Sequence, residues 1–309
     1  MRGSGAQALA AALVLAGCPP RPVSGGHGPR PPTLAPPALI ANQRPPGAAP
    51  LAGALTTGEG HPGRWTRAGA WWRGSARGVA ARIEVTRPRV FGDEHALVEV
   101  EAQLGPAGAR HAVEIGIRTS PVEYRDGDPH LFVFAWVAGR RTCYDRCGWE
   151  SAGAGTRPGD DLAGRFGTEV TLGLVLHEGA WWAWMDSEWL GAFPLDVWSG
   201  AFSEADGLQW FGEVFAADGK PRSEMGNGLL AAFPHAAMIR GLCHVPWDRW
   251  ACLEEDRPEL RADAPERYGV AFWEDGTLTY GGPNGLPAAF TPRPPPSSAS
   301  GETPPATGR

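Results

Sequence analysis

The sequence contains very little lysine. Lys220 is the only one, although Lys and Arg together number 28. Asp and Glu number 34, so the formal net charge is −6 at pH 7. A protein that binds nucleic acid through its phosphates needs a basic surface. The acidic balance therefore excludes nucleic acid from the expected partners.

Long hydrophobic runs are also absent beyond the amino terminus, whereas a membrane-spanning helix takes about 20 apolar residues. Residues 1–17 combine a positive charge at Arg2 with a short apolar stretch from Ala8 to Ala16. This pattern is typical of an export signal. The small residues ahead of Cys18 resemble a bacterial lipobox, so we expect Cys18 to be lipidated and to be the only link to a membrane. A plain secretory signal is the alternative, and both predict an exported protein.

Two segments are rich in Pro, Gly and Ala and poor in large apolar side chains. They are residues 18–63 and 286–309. Segments of this composition cannot bury enough apolar surface to offset the entropy lost on ordering. We therefore expect a disordered tether at 18–63, one folded domain at 64–285 and a disordered tail at 286–309, in a monomeric protein.

Four cysteines remain after Cys18, and an even number in an exported chain favours disulfides. The simplest pairing is local and joins Cys143 to Cys147 and Cys243 to Cys252. Zinc is the alternative, but the spacings differ from the usual two-residue knuckles. No histidine lies in a His-Glu-x-x-His motif. We expect neither a metal nor a cofactor.

Short apolar runs divided by turn-forming residues fill the predicted domain. Residues 80–86 and 96–102 alternate between apolar and polar side chains, as in half-buried strands. Further runs occupy 131–137, 169–177, 180–185, 188–193, 208–215, 231–239, 269–273 and 278–280. The pattern predicts an all-β fold, an antiparallel β-sandwich of jelly-roll-like form with short loops and little helix. One or two helical turns are expected within 253–267.

Two glutamates stand out because each lies in a short strand-like run, at 112–117 and at 210–215. On a strand, Glu114 shares its face with two small residues, whereas Glu213 shares its face with Phe211 and Phe215. Two carboxylates that meet on one surface cannot both ionise cheaply, so one keeps a proton. A pair of this kind supplies the acid and the base that hydrolysis needs.

The neighbours within each run suggest which glutamate keeps the proton. The small residues beside Glu114 would leave room for a substrate backbone. The aromatic residues beside Glu213 would desolvate its carboxyl and raise its pKa. We therefore predict that Glu213 is the proton donor and Glu114 the more ionised partner, although a coupled pair titrates jointly.

An ordered set of short motifs occupies roughly residues 78–245. It consists of Val113-Glu-Ile-Gly116, Ser120-Pro121, Tyr124, Asp126, Leu131-Phe132, Cys143-Tyr144, Cys147, Trp181-Trp182, Gly191 with Pro194, Trp210-Phe-Gly-Glu-Val214 and Met225-Gly-Asn-Gly228. In this order the motifs resemble the neprosin family. Its members are secreted glutamic peptidases, known from plants, that cleave after proline on a β-sandwich scaffold.

This resemblance implies that Glu114 and Glu213 are catalytic, at acid pH, on a peptide or protein substrate, with proline-rich substrates among those expected. Cleavage after proline needs a pocket that fits a pyrrolidine ring, and flat aromatic side chains suit that purpose. The predicted substrate-binding residues are Trp181, Trp182, Trp184, Phe211, Phe215 and Asn227.

Several positions depart from the family pattern. Ile117 stands where plant members usually have Trp, and Asn227 stands where Ser is usual in the Met-Gly-x-Gly turn. Cys143 and Cys147 enclose three residues, one fewer than the family pattern implies. The segment before the domain is too rich in proline to be a folded propeptide, which argues against activation of a zymogen by acid.

Two other functions use the same features. The first is a non-catalytic module that binds glycan or peptide in a Trp-lined groove. The second is a glycoside hydrolase, because paired carboxylates and a Trp platform also suit sugars. Carboxyls in hydrogen-bond contact would favour the peptidase, a separation of about 5 Å or more would favour the glycosidase, and opposite faces of the sheet would favour the binding module.

Overall fold

A computed structural model describes residues 32, 35–40, 65–106 and 108–283. The predicted export signal, the lipidation site at Cys18, most of the predicted tether and the predicted tail at 286–309 lie outside these residues. None of the helices within the described ranges is long and apolar enough to cross a membrane.

Strands account for nearly all of the regular structure in the described ranges. They are β1 (Leu39–Ile40), β2 (Trp65–Ala76), β3 (Gly78–Glu84), β4 (His95–Leu104), β5 (His111–Thr119), β6 (His130–Val137), β7 (Arg140–Arg141), β8 (Glu150–Ser151), β9 (Glu169–His177), β10 (Ala180–Met185), β11 (Glu188–Pro194), β12 (Ala205–Phe215), β13 (Ala237–Val245), β14 (Cys252–Glu254), β15 (Glu259–Ala262), β16 (Gly269–Phe272) and β17 (Leu278–Gly281). The helical segments are α1 (Pro121–Tyr124) and two 3₁₀ turns, Ala163–Arg165 and Leu195–Trp198. The all-β prediction is confirmed.

The strands form two sheets. Sheet I has the order β1-β14-β13-β3-β9-β10-β11-β8, with β17 pairing β13 and β16, and sheet II has the order β15-β2-β12-β4-β5-β6-β7. The pairs within both sheets are antiparallel apart from β1 with β14. The predicted antiparallel sandwich is therefore confirmed. The predicted helical turns at 253–267 were wrong, since this segment contributes β14 and β15.

The main core lies between the two sheets. Strands β4 and β5 point alternate residues into it, including Val98, Val100, Val113 and Ile115, all at most 3% exposed. Each fully buried side chain of this size stabilises the fold by about 1.5–3 kcal/mol. Because side chains alternate along a strand, the residues between these valines and isoleucines point to the outer face of sheet II.

Strands β1 and β2 were not predicted from the sequence. Strand β2 lacks a regular alternation, yet it pairs with both β12 and β15 over much of its length. Strand β1 lies inside the predicted tether and pairs with β14. The indole Nε1 of Trp250 also donates to the carbonyl oxygen of Ala35, at 2.9 Å. Residues 35–40 therefore lie against the edge of sheet I.

Both predicted disulfides are present. Cys143 and Cys147 join within the segment between β7 and β8, with their Cα atoms 5.4 Å apart. Cys243 and Cys252 join β13 to β14, with their Cα atoms 5.6 Å apart. The predicted pairing is confirmed.

Candidate active site

Glu114 and Glu213 lie on the same face of sheet II. Glu213 on β12 is directly opposite Leu97 on β4, and Glu114 on β5 is directly opposite Glu101 on β4. Directly opposed residues share a face, and so do residues four positions apart on one strand. Both glutamates therefore point to the outer face, as the strand pattern around each had suggested. The arrangement on opposite faces, which would have favoured a binding module, does not occur.

Strand β4 adds two further glutamates to this face, Glu99 and Glu101. We call Glu99, Glu101, Glu114 and Glu213 the carboxyl cluster. All four are buried, with at most 4% of each residue exposed. One carboxylate oxygen from each of Glu99, Glu101 and Glu114 lies within 4.8 Å of the others. Sequence reasoning had not selected Glu99 or Glu101, although their alternation along 96–102 placed both on one face.

Two arginines bond to the carboxyl cluster. Arg67 on β2 donates from Nε to Oε2 of Glu213 at 2.6 Å, and Arg110 donates from Nη1 to Oε1 of Glu101 at 3.3 Å. Burial alone would lower the pKa of Arg67, but the carboxyl cluster, with Glu213 the strongest influence, raises it above its ordinary value. Four carboxyls thus face two bonded guanidinium groups. A buried carboxylate without a cation is costly, which favours protonation of the carboxyls that have no bonded guanidinium group.

The protons are held by the carboxyls that lack a bonded cation. Burial raises the pKa of Glu114 well above its ordinary value, and the charge of Glu101 raises it further, against the opposing charge of Arg110. Burial likewise raises the pKa of Glu99, and the charges of Glu114 and Glu213 add to the shift. Glu99 and Glu114 therefore remain neutral at pH values where an ordinary glutamate is ionised.

This distribution reverses the predicted roles. Glu114 is the protonated member of the pair, and Glu213 is the member held against a guanidinium group. The expectation that the two carboxyls meet was also wrong, because Glu114 meets Glu101 and Glu213 meets Arg67. The prediction failed because it used neighbours along each strand, whereas the decisive neighbours lie on adjacent strands.

The space beside Glu114 has a different use from the one predicted. A Cβ added at Gly116 would lie 2.3 Å from the Val98 carbonyl oxygen and 2.7 Å from both Glu99 Cβ and the Phe132 ring. Gly116 therefore makes room for these neighbours. The space at Gly116 is therefore taken by the protein's own side chains and not by a substrate backbone.

Aromatic side chains cover the carboxyl cluster. The indole Nε1 of Trp136 on β6 donates to Oε1 of Glu114 at 2.5 Å, and the Trp136 ring lies 6.4 Å from that of Trp65 on β2. Strands β12, β4 and β5 run between β2 and β6, so the two rings meet above the strands that carry the glutamates. We call Trp65 and Trp136 the aromatic roof. Arg141 lies over the Trp65 ring at 5.3 Å.

The predicted tryptophans lie elsewhere. Trp181, Trp182 and Trp184 belong to β10 in sheet I and are at most 1% exposed. Trp181 points into the main core, where its Nε1 donates to the Phe202 carbonyl oxygen at 2.9 Å. The other two point to the outer face of sheet I and pack near the buried disulfide. Their predicted role in substrate binding was wrong, since none lies on the face of the carboxyl cluster.

The remaining predicted binding residues differ from one another. Phe215 lies on the face of the cluster and packs against Trp65 at 5.5 Å between ring centroids. Phe211 lies on the same face, but its ring is fully buried between Arg67 and Trp71. It supports the arginine and presents no free surface.

Asn227 does not fit the predicted role of a hydrogen-bond donor to substrate. Its Nδ2 donates to the His235 carbonyl oxygen at 2.6 Å, and its Oδ1 accepts from the amides of Leu229 and Ala237, each at 3.2 Å. The side chain therefore fastens its own loop after β12.

Tyr144 covers the cluster from the loop closed by the Cys143–Cys147 disulfide. Its ring lies 4.6 Å from that of Phe134, and the Arg118 guanidinium lies over it at 3.9 Å. Burial raises the pKa of the Tyr144 hydroxyl, so the residue is neutral across the physiological range. The Cys143-Tyr144 motif was the only sequence signal for this residue.

Glu99, Glu101 and Glu114 also have spacing that suits a hard cation such as Ca²⁺, which takes oxygen ligands. Ligands must be deprotonated to bind a metal. Burial favours protonation of Glu99 and Glu114 instead. At acid pH the arrangement is that of a proton-holding site.

A family model covers the part of the chain that carries these carboxyls. The Neprosin model matches residues 92–283, which include all four members of the carboxyl cluster. The chain belongs to the Neprosin family. It is therefore a glutamic-type peptidase, and its substrate is a peptide or protein.

Solved structures resemble the fold at low identity. Scytalido-glutamic peptidase with a peptide-based transition-state analogue is 10% identical, with 72% of this chain and 98% of that chain covered and a TM-score of 0.38. SCP-B, an eqolisin-family peptidase with the tripeptide Ala-Ile-His, is 9% identical, with 71% and 98% covered and a TM-score of 0.38. A beta-porphyranase from the human gut bacterium Bacteroides plebeius is 7% identical, with 45% and 52% covered and a TM-score of 0.27. The family assignment comes from the family model.

Proposed function

We propose that the protein is an endopeptidase that cleaves after proline at acid pH, with Glu213 as the general base and Glu114 as the general acid. The observation that carries this proposal is the unequal setting of two buried glutamates on one face. Glu213 is bonded to Arg67 as a carboxylate, and Glu114 is held neutral by burial and by Glu101. One face thus offers a base and an acid at the same pH.

The reaction then needs only these two groups and water. The Glu213 carboxylate takes a proton from a water molecule, whose oxygen attacks the carbonyl carbon of the peptide bond. The Glu114 carboxyl donates a hydrogen bond to the developing oxyanion and afterwards gives its proton to the leaving nitrogen. Hydrolysis leaves Glu213 protonated and Glu114 ionised.

Activity at acid pH follows from the proton that Glu114 must carry. An ordinary glutamate loses its proton near pH 4.3. The pKa of Glu114 is raised well above its ordinary value, chiefly by burial. The active combination of protonation states therefore persists above about pH 4.3 and is lost as the pH rises through the raised pKa of Glu114.

The preference for proline requires an aromatic pocket on the acyl side, because the bond after proline has an ordinary N–H on its leaving nitrogen. The aromatic roof and Phe215 supply flat rings next to the carboxyl cluster, and such rings suit a pyrrolidine ring. These residues replace the tryptophans of sheet I as the proposed binding surface. Because the roof covers Glu114, we expect Trp65 and Trp136 to separate when a peptide enters.

Peptide hydrolysis is favoured over the two alternatives on different grounds. Glu114 and Glu213 lie on the same face of sheet II, whereas a binding module was expected to have them on opposite faces. Direct contact between the two carboxyls would have favoured a peptidase over a glycosidase. That contact is not observed, so carboxyl geometry does not distinguish the two. The family model, which matches 192 residues (283 − 92 + 1), supports a peptide substrate.

Export remains part of the proposal. Both disulfides fit an oxidising compartment, since thiols are kept reduced in the cytosol. We propose that the protein is exported and held at a membrane by a lipid on Cys18. Mass spectrometry of the amino-terminal peptide from the native host would show the lipid, and an unmodified Cys18 would contradict the anchor.

The test of the proposed reaction uses the full chain and proline-containing peptides over about pH 3 to 7, a range that brackets the ordinary glutamate pKa. We expect cuts after proline that persist with serine-directed and metal-directed inhibitors. Glu114→Gln and Glu213→Gln should each lower kcat by about 100-fold or more. Glu84→Gln, a half-buried glutamate in sheet I, is the matched control and should leave kcat unchanged. Full activity in either site variant, or a wild type that cuts glycans and not peptides, would overturn the proposal.

A further inference from the structure

The proposed acid and base are separated by a strand that places one carboxyl between them. Glu213 is opposite position 97 of β4, and Glu114 is opposite position 101. The residue halfway between these positions on the same face is Glu99. It is a diagonal neighbour of both glutamates, and diagonal neighbours lie about 7–8 Å apart, within reach of long side chains.

Glu99 differs from Glu101, the other glutamate that β4 adds to this face. Oε1 of Glu101 accepts hydrogen bonds from Arg110 and from Nε2 of Gln209, the latter at 2.8 Å, although its Oε2 has no hydrogen-bond partner among the described residues. Glu99 is 2% exposed, and its Oε2 has no hydrogen-bond partner among the described residues. Gly116 leaves the space that the Glu99 side chain occupies. The fold therefore buries a carboxyl oxygen in the carboxyl cluster without fastening it.

The proposed reaction creates a need for such a group. Each turnover leaves a proton on Glu213 and a negative charge on Glu114, which is the reverse of the starting state. The exposed fraction of each glutamate is 4% with the aromatic roof in place, so neither exchanges protons readily with bulk water while the roof covers the cluster. A proton must therefore move from Glu213 to Glu114 within the cluster before the next turnover.

We propose that Glu99 carries this proton between turnovers. The protonated Glu99 gives its proton to Glu114, and the resulting Glu99 carboxylate takes the proton that Glu213 received from water. The first transfer breaks an O–H bond on Glu99 and forms one on Glu114, and the second breaks an O–H bond on Glu213 and forms one on Glu99. The cluster thus returns to its starting charge. The inference rests on the proposed function, and it assigns Glu99 to the recovery of the site and not to bond cleavage.

The test separates the first turnover from the later ones, using a proline-containing peptide that the wild type cleaves. Glu99→Gln keeps the shape of the side chain but cannot pass a proton. With enzyme in excess, its first turnover should match that of the wild type. With peptide in excess, kcat should fall by about 100-fold, since proton transfer by a side chain is commonly worth that much. Glu99→Asp, which restores a carboxyl, should recover part of the loss.

Three results would overturn this role. The first is a steady-state kcat of Glu99→Gln equal to that of the wild type. The second is an equal loss in the first and later turnovers, which would indicate damage to the site. The third is a wild type that cleaves no peptide, which removes the proposed function as well. An active wild type with a normal Glu99→Gln variant removes only the role of Glu99. The Glu84→Gln control should behave as wild type in both regimes.

Discussion

The outer faces of the two sheets are both covered, but they bury opposite kinds of side chain. On the outer face of sheet I, apolar neighbours cover Trp182, Trp184 and the Cys243–Cys252 disulfide. Sheet II covers the carboxyl cluster and its arginines with Trp65, Trp136 and Tyr144. Tryptophan is present on both faces, so tryptophan alone does not distinguish them.

The difference lies in the free energy of burial. Burying apolar surface stabilises a fold by roughly 25 cal/mol per Å², whereas removing an ion from water costs several kcal/mol unless partners compensate. The outer face of sheet I therefore contributes stability. The outer face of sheet II lowers the stability of the fold, because it holds ionisable groups out of water. Groups buried at such a cost are characteristic of functional sites.

The largest effect is expected from breaking the buried ion pair on sheet II. Arg67→Gln leaves the Glu213 carboxylate buried without its guanidinium group. Removing one partner of a buried pair costs about 3–5 kcal/mol. We expect this loss in the free energy of unfolding, measured with denaturant, together with a loss of peptidase activity because Glu213 would lose the guanidinium group that holds it in place.

Arg249→Gln is the matched control for Arg67→Gln. Arg249 bonds to Asp248 at 3.0 Å, but both side chains are more than half exposed. Exposed pairs contribute little to stability because water and salt screen them. We expect no measurable change in stability or activity. Equal losses of stability in Arg67→Gln and Arg249→Gln would show that burial of the Arg67–Glu213 pair has no effect on what the pair contributes.

On sheet I, truncating a buried tryptophan should lower stability and leave the chemistry intact. Trp184 is fully buried, and a Cβ added at Gly173 would lie 2.2 Å from its ring, so the fold is shaped around it. Trp184→Ala should destabilise the protein by about 3–5 kcal/mol. Below its melting temperature, kcat per folded molecule should equal that of the wild type. A specific loss of kcat would place sheet I in the active site and contradict the comparison.

The contrast between the faces shows what the sequence could predict. Alternation and turn residues were sufficient for the sandwich, and the local cysteine spacings were sufficient for both disulfides. The strand pattern also predicted the faces of Glu114 and Glu213 correctly. These features depend on residues that are close together in the sequence.

The composition of the site depended on cross-strand register, which is not visible in one sequence. The alternation at 96–102 placed Glu99 and Glu101 on an outer face, but only pairing with β5 and β12 buries them. Arg67 comes from β2, whose sequence does not alternate. The three neighbouring tryptophans of β10 attracted the substrate-binding prediction because they are conspicuous in sequence, whereas Trp65 and Trp136 meet only in the folded sheet.

The two disulfides should differ as the two faces do: one should affect stability alone, and the other should affect activity. Replacing Cys243 and Cys252 with alanine removes a link across nine residues and should cost about 2–3 kcal/mol, since a longer loop loses more entropy. Replacing Cys143 and Cys147 opens a loop of four residues and should cost less stability, but it frees Tyr144 above the carboxyl cluster. We expect the first change to lower Tm with kcat/KM unchanged, and the second to lower kcat/KM. The reverse result would contradict the assignment of function to sheet II.

The smallest effect, and the most direct measure of the cost on sheet II, is the pH dependence of stability. The pKa of Glu114 is raised in the folded protein, so between the unfolded pKa of about 4.3 and the folded pKa the native state binds more protons than the unfolded chain. Stability from this group is fully present below the unfolded pKa and is lost as the pH rises through the folded pKa. Each unit of raised pKa is worth about 1.4 kcal/mol.

Denaturant unfolding at intervals above about pH 4.5 should therefore show stability falling as the pH rises. Glu114→Gln should flatten this slope, because glutamine is neutral at every pH, and the variant should be more stable than the wild type near neutrality. Glu178→Gln provides the control, since the Glu178 side chain is 79% exposed and should not alter the slope. If Glu114→Gln left the slope unchanged, Glu114 would not be the proton-holding group, and the division between acid and base on sheet II would fail even though the fold remained correct.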